Sequence, residues 1–280
     1  MKPSAQHRQA AQAFDLVAGD YDSVYGEGGN PAMVWMRREN VTHLRSLFSP
    51  GSRLLEVGCG TGDEAVALAR SGCSVVATDI SPAMARLTAA KAVRAGVAER
   101  VQVLALPAGS LAALLVDRPF DGVYTSFGGL NCEPDLAGFG EALSRLVRPG
   151  GAVVCGVMGR FYLFEMLWYL ARGRPRQSLR RLRGGWQEAP VAGRNGRQMH
   201  VATRYLGVRE IHRAVGEQFV VEEIRALPLV MPPPYAAELY ARYPGLIARL
   251  EGLDRALRRR WPFRLLGDHL VVVFRRLRNG

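Results

Sequence analysis

Between residues 53 and 158, short apolar runs alternate with segments whose apolar residues recur at helical spacing. The runs predict strands at 53–57, 74–80, 101–106, 120–127 and 152–158, and the periodic segments predict helices at 63–71, 82–95 and 135–147. Pro149, Gly150 and Gly151 end the last of these helices. Such β-α alternation argues for a parallel sheet. After residue 158 the alternation loses its regularity. Residues 160–183 read as an apolar-then-basic helical segment, Gly184, Gly185 and Gly193 to Gly196 as loops, 200–206 as a strand and 209–215 as a helix. A strand at 219–230, a helical stretch at 235–260 and a final apolar strand at 269–276 complete the pattern. Upstream, Phe14, Tyr21 and Tyr25 around Asp15, Asp20 and Asp22 read as a helix and loop, and 35–47 as a helix packed on the sheet.

The junction between the first strand and its helix carries the chemistry. Gly58, Gly60 and Gly62 alternate through a turn too tight for residues with a Cβ. The dinucleotide fingerprint is G-x-G-x-x-G, in which a helix N-terminus holds a pyrophosphate. Here the spacing is G-x-G-x-G, and the helix opens with Asp63 and Glu64. Two carboxylates suit the helix dipole but repel a pyrophosphate. A ligand with no phosphate and some positive charge is compatible, and S-adenosylmethionine is one. Glu56 supplies a carboxylate for its ammonium group, directly or through water. Asp79 ends the second strand, 23 positions after Glu56. A carboxylate there can accept both hydroxyls of a ribose, with Ile80 and Met84 flanking the adenine.

At these residues the chain resembles the class I S-adenosylmethionine-dependent methyltransferases, in which E/D-x-G-x-G-x-G and the acid after strand two bind the cofactor. The resemblance covers residues 10–159 well and the closing strands more loosely. It implies an α/β fold with a doubly wound, seven-stranded Rossmann-like sheet, mostly parallel, whose antiparallel last strand lies between strands five and six. S-adenosylmethionine is the implied cofactor, with Glu56, Gly58, Cys59, Gly60, Gly62, Asp79, Ile80 and Met84 around it. Phe14 to Asp22 match the relatives' F-D-x-x-A-x-x-Y-D pattern, which lays the N-terminal segment over the cofactor and brings the Tyr21 hydroxyl near its methionine part. One departure concerns adenine. Many relatives carry an Asp after strand three, where this chain has Pro107 to Leu111 and no acid. Backbone groups of Ala108 and Gly109, or the Ser110 hydroxyl, would serve instead. Ser126 after strand four is expected on the cofactor side, and Phe127, Asn131 and Tyr162 towards the acceptor.

In this organisation residues 1–159 form the N-terminal arm and cofactor core, 160–218 an insertion after strand five, and 219–280 the closing strands with a helical insertion at 235–262, one structural domain in all. Ligands of open α/β sheets bind beyond the carboxyl ends of the parallel strands. The insertions emerge at that edge and are expected to cap the acceptor. Their aromatics, Phe161, Tyr162, Phe164, Trp168, Tyr169, Tyr235 and Tyr240, favour a small hydrophobic or aromatic acceptor, methylated on oxygen or carbon.

Methyl transfer is an in-line displacement for which the protein mainly aligns the partners and excludes water. A base is needed only where the acceptor must lose a proton. Glu165, alone in an apolar stretch, is one candidate, since burial would raise its pKa; the competing reading is a structural Glu paired with Arg. His269 at the rim is the second, with Asp268 as a partner that either orients it or anchors a loop. His200 and His212 rank below these. Pro232, Pro233, Pro234 and Tyr235 resemble the [N/D]-P-P-[Y/F/W] of nucleobase amino-methyltransferases. That motif follows strand four, however, and here the run follows strand six and lacks the Asn or Asp, so it reads as a rigid turn.

Charge divides the chain. Residues 1–156 carry 14 basic and 15 acidic residues, and 157–280 carry 23 and 10. Arg clusters at 172–183 and 255–264 suit an anionic partner. They keep two alternatives open, an RNA methyltransferase and a methyltransferase of a lipid-like acceptor at a membrane surface. A non-enzymatic cofactor sensor is a third. The polar Met1 to Ala10 does not read as a signal peptide, and the apolar stretch 161–170 is shorter than the roughly 20 residues a bilayer span needs. Cys59, Cys73, Cys132 and Cys155 lack metal-ligand spacing, which fits a reduced cytoplasm and no metal.

Overall fold

A computed structural model describes residues 4–26, 29–192 and 198–278. The N-terminal segment is one long helix, α1 (Ala5–Tyr25), capped by Ser4, whose side chain accepts from the His7 amide at 3.1 Å. Asn30 caps α2 (Pro31–Leu47) in the same way, accepting from the Ala32 amide at 3.0 Å. Then come β1 (Arg53–Val57), α3 (Asp63–Arg70), β2 (Ser74–Asp79), α4 (Pro82–Arg94), β3 (Val101–Ala105), β4 (Phe120–Thr125), α5 (Leu136–Leu146) and β5 (Val147–Met158). Strand five starts earlier than its apolar run because Val147 already pairs with Phe120, ahead of an irregularity that the Pro149-Gly150-Gly151 bend creates.

The segment read as a single helix over 160–183 is broken. It contains α6 (Leu163–Leu170), α7 (Pro175–Ser178) and a 3-10 turn at Arg180–Arg183, because Gly173 adopts φ +67° and Pro175 cannot continue α6. An unexpected strand, β6 (Gln187–Ala192), pairs antiparallel with β7 (Gln198–Thr203), the strand expected at 200–206. The loop expected at Gly193 to Gly196 lies outside the described residues. The chain closes with α8 (Val208–Val215), β8 (Phe219–Leu227), α9 (Glu238–Arg242), α10 (Pro244–Leu257) and β9 (His269–Arg276).

Seven strands form one sheet in the order β3-β2-β1-β4-β5-β9-β8. β1 to β5 are parallel, and β9 runs antiparallel to both of its neighbours, as the resemblance implied. The order reverses between β1 and β4, which opens a crevice at the carboxyl edge. Side-chain alternation divides the core. Leu54, Ala77, Tyr124 and Val273 face α2 and α3, while Leu55, Val123, Val153 and Phe274 face α5 and α8. Asp254 on α10 is fully buried and accepts from the Leu229 and Val230 amides at 2.7 and 3.0 Å, tying the helical insertion to the end of β8.

The α5–α8 contact depends on one missing side chain. A Cβ at Gly140 would lie 1.6 Å from the Ala214 carbonyl oxygen. Gly140→Ala must therefore push α8 away, and is expected to lower stability by about 1–3 kcal/mol. Chemical denaturation checks this, and an unchanged midpoint would contradict the packing.

Candidate active site

At the crevice Gly58, Gly60 and Gly62 all take positive φ, at +74°, +55° and +84°. At Gly62 a Cβ would also strike the Thr88 side chain at 2.6 Å. The Gly58 and Cys59 amides donate to the Thr78 carbonyl at 2.8 and 2.9 Å, so the turn is sewn to the end of β2. Asp79 completes this seam. Its two oxygens accept from the Gly60 and Ser81 amides, each at 2.8 Å. Burial raises the Asp79 carboxyl to about 6, against the lowering effect of those amides.

A cavity of about 330 Å³ opens above the turn. Of the residues expected around a cofactor, Tyr21, Gly58, Cys59, Gly60, Asp79, Ile80, Met84, Ala108 and Ser126 line it. Glu56, Gly62 and Gly109 do not. Glu56 is buried behind the wall, and its Oε2 has no hydrogen-bond partner among the described residues. Burial and then the Glu64 carboxylate push its carboxyl well above the ordinary range. Asp63 and Glu64 reach the cavity instead, paired with Arg37 of α2, which also lies over the Phe127 ring. Ser126 accepts a 2.9 Å hydrogen bond from Asn40 Nδ2 on the same helix.

Above Asp79 the cavity is roofed by α1 and the β6–β7 hairpin. Phe14, Val17 and Ala18 pack with Val191 and Met199 over Met84. Asp15 accepts from Ser81 Oγ at 2.5 Å and the Ala83 amide at 2.9 Å at the start of α4, and Asp22 pairs with Lys91 at 2.8 Å and bonds Thr61. Tyr21 is half-buried under this roof, and its desolvation there raises its hydroxyl pKa. The β6–β7 part of the insertion expected over the acceptor thus covers the Asp79 end of the cavity. At the far end His7 Nε2 meets Glu133 Oε1 at 2.7 Å. Glu133 Oε2 accepts from the Gly109 amide at 3.0 Å, and Glu133 lines the cavity beside Ala108. A carboxylate therefore stands near the place where an acid was missing after strand three, delivered from beyond β4. Ser110 is not among the lining residues.

The acceptor side differs more from expectation. Phe127 and His269 line the cavity, together with Met33, Met158 and Pro234. Phe127 is the one non-glycine residue with positive φ among the described residues, at +49°, a strain of about 1–3 kcal/mol. This conformation sets its ring edge-on to His269 at 5.8 Å. Asn131 does not reach the cavity. Fully buried, it bonds the Met158 amide and the Met158 and Arg204 carbonyls, a structural clamp. Tyr162 is also withdrawn, its hydroxyl donating to the Met231 carbonyl at 3.1 Å. It begins an aromatic ladder through Phe164, Trp168 and Tyr235 that braces α6 rather than lining an acceptor pocket.

Glu165 is an ion-pair residue. Burial opposes its ionisation, yet Arg180 and Arg181 lower its pKa, opposite to the rise expected of a base. Both guanidiniums grip its two oxygens at 2.8–3.1 Å. Arg181 extends the network to Asp268 Oδ1 at 2.6 Å, and Asp268 Oδ2 lies 3.3 Å from His269 Nδ1. Although burial opposes ionisation of Asp268 too, Arg181 and His269 hold its carboxyl well below the ordinary range. His212 stacks on Phe274 and meets the Phe219 carbonyl, away from the cavity, and His200 is exposed on β7. Among the described residues no group of three or more His, Cys, Asp or Glu side chains is arranged to hold a metal ion.

A doubly wound sheet with an antiparallel strand before its edge, a glycine turn at the switch point and an acid at the tip of β2 defines the class I methyltransferase fold. Residues 54–151 match the family described as a methyltransferase domain. Residues 54–151 therefore carry a methyltransferase domain, set in a fold of the class I, S-adenosylmethionine-dependent type. A demethylmenaquinone methyltransferase of Beutenbergia cavernae is 40% identical over 148 residues, 51% of this chain and 55% of that protein. Its counterpart from Lysinibacillus sphaericus is 29% identical over 157 residues, 55% and 63% of the two chains. The chain thus spans little more than half the length of these relatives. Among solved structures, the CcbJ methyltransferase from Streptomyces caelestis superimposes with a TM-score of 0.63 at 18% identity, covering 95% of this chain and 98% of that one. The [4+2]-cyclase SpnF reaches the same TM-score at 17% identity, covering 100% and 99%. A cyclase on the same frame means that the fold alone does not set the reaction.

The Asp79 geometry has a pH consequence. Only the ionised carboxylate accepts from two ribose hydroxyls, and in the free protein it takes up a proton as the pH falls through about 6. Affinity for S-adenosylhomocysteine is therefore expected to weaken as the pH falls from 7.5 to 5, and Asp79→Asn to bind more weakly by about 1–3 kcal/mol at neutral pH with a flatter profile. Calorimetric titration checks both, and a wild-type profile with no pH dependence would contradict the ribose assignment.

Proposed function

We propose that the chain transfers the methyl group of S-adenosylmethionine to a small apolar or aromatic acceptor, on oxygen or carbon. The observation that carries this reading is the make-up of the cavity beyond the glycine turn. Met33, Phe127, Met158 and Pro234 offer apolar walls, and one imidazole, His269, faces in from the start of β9 with Asp268 behind it. Relatives named demethylmenaquinone methyltransferase support an acceptor of this kind. The lining side chains fit the cofactor. Asp79 would take the ribose hydroxyls, Ile80 and Met84 the adenine faces, and Arg37 the methionine carboxylate, with Asp63 and Glu64 on the ammonium side. Glu56 would act from behind the wall, through water.

The bound cofactor supplies an activated methyl on a sulfonium. This chain's residues align the acceptor against it and exclude water. The roof of α1 and the hairpin covers the nucleoside end, and the strained Phe127 ring narrows the acceptor end. Asp268, kept ionised by Arg181, stands 3.3 Å behind Nδ1 of His269 and fixes the ring's placement at the cavity wall. The ring is thereby suited to take a proton from a hydroxyl or an acidic carbon as attack proceeds. The RNA reading gains little from the structure. In the cluster at 255–264, Arg255 and Arg258 pair with Glu39, and Arg259 with Glu223, so three of its five arginines are spent inside the fold.

The test uses a panel of phenolic and enolic acceptors, with release of S-adenosylhomocysteine as the readout. His269→Gln is expected to lower turnover by about 10²–10⁴-fold while leaving cofactor affinity within twofold, and Asp268→Asn to give a smaller loss. Undiminished turnover in His269→Gln would remove the base from the account. No turnover by the wild type with any acceptor would favour a cofactor sensor.

A further inference from the structure

The helix α6 is turned inside out. Seven of its eight residues are apolar or aromatic, yet its one buried residue is Glu165. Leu167 and Leu170, three positions apart on one face, are 56% and 50% exposed, and Phe161 just before the helix is 45% exposed. A surface helix normally shows the reverse arrangement, charge outward and leucine inward. The apolar surface continues across the elbow. α7 folds back on α6 through Ser178, whose hydroxyl donates to the Met166 carbonyl at 3.0 Å, and beyond it Leu179, Leu182 and Trp186 are also exposed. Water-exposed leucines gathered on one element mark a surface meant for another apolar phase.

The charge around it says which phase. No acidic residue occurs between Glu165 and Glu188, whereas Arg172, Arg174, Arg176 and Arg183 are all exposed there. Among the described residues none of these four has a carboxylate within ion-pair distance, in contrast to Arg180 and Arg181, which hold Glu165 inward. Arg172 lies over the Trp168 ring and Arg183 donates to the Arg176 carbonyl, contacts that leave their charge without a counter-ion. Leucines and a tryptophan bordered by such arginines match the boundary between acyl chains and anionic headgroups. A protein partner would need acids placed opposite each Arg. A membrane presents them everywhere.

We propose that the elbow formed by α6 and α7, with the turn that follows, docks the protein on an anionic lipid bilayer. Leu167, Leu170, Leu179 and Leu182 enter the headgroup boundary, and Arg172, Arg174, Arg176 and Arg183 engage lipid phosphates. Arg181 ties this elbow to Asp268 at the cavity wall, so docking places the acceptor end of the site beside the membrane. The contact itself requires no methyl transfer, so its test is separate from that of the reaction. Among the described residues no helix is long and apolar enough to cross a membrane, and the contact is with its surface.

The experiment is flotation of the full chain with vesicles of phosphatidylcholine alone or mixed with phosphatidylglycerol. The protein is expected to float with the mixed vesicles only, and to lose most of that binding in high salt. Arg172→Ala, Arg174→Ala and Arg176→Ala combined should weaken partitioning by roughly a hundredfold. Leu167→Asp with Leu170→Asp should abolish it, while affinity for S-adenosylhomocysteine, which shows that the variants are folded, stays unchanged. No flotation with either vesicle would overturn the proposal. So would equal flotation of the folded Leu variant, or a wild-type dimer or RNA complex that the same Leu substitutions dissolve in its place.

Discussion

The Asp79 carboxylate is the constraint on which the site depends. It is buried, it accepts from the amides of Gly60 and Ser81, and it thereby holds the glycine turn and the start of α4 at a set distance. Left-handed glycines leave the turn conformationally free in the unfolded chain, so something must select one path for it. The Thr78 carbonyl and the Asp79 carboxylate, adjacent at the end of β2, do this together. The raised pKa of Asp79 shows that burial outweighs the amides that favour its charge. A ligand with two hydroxyls at that point would offset this cost, so recognition and local structure rest on the same two oxygens.

The rest of the site consists of charged groups that hold one another in place. Asp15 and Asp22 fasten α1 across the turn, and His7 with Glu133 closes its far end. Across the sheet, Glu165, Arg181 and Asp268 form a buried chain that ends at His269. Breaking a buried pair of this kind is costlier than forming it is rewarding, because the remaining charge stays behind without a partner. The arrangement therefore sets geometry more than it adds stability. It explains how an exposed apolar helix remains attached: α6 is held by the charge on its inner face rather than by its leucines.

What could be read from the residues in order was mostly local. The turn, its flanking strand and helix, and the acid at the tip of β2 depend on spacing within a few dozen residues, and all appear at the expected positions. His269 was legible through topology, since an antiparallel final strand must start at the cofactor edge. The groups that escaped notice act across long separations. Arg37 enters from a helix that reads as ordinary packing, and His7 finds Glu133 126 positions away. β6 carries Pro190 and mixes exposed with half-buried residues, a weak period against which the hairpin could not be seen. Glu165 shows the limit most plainly. Its apolar neighbours left two readings open, a desolvated acid and a structural Glu paired with Arg; the second holds, but its partners Arg180 and Arg181 reach it only once Gly173 and Pro175 turn the chain back. The cap aromatics misled similarly: aromatic composition does not tell a pocket lining from a brace between helices.

The central claim is that this turn accepts a sulfonium nucleoside and not a diphosphate. Calorimetric titration of the purified chain with S-adenosylmethionine, and separately with NADH, tests it most directly. The account predicts saturable binding of the first and none of the second. Uptake of NADH with indifference to S-adenosylmethionine would contradict it.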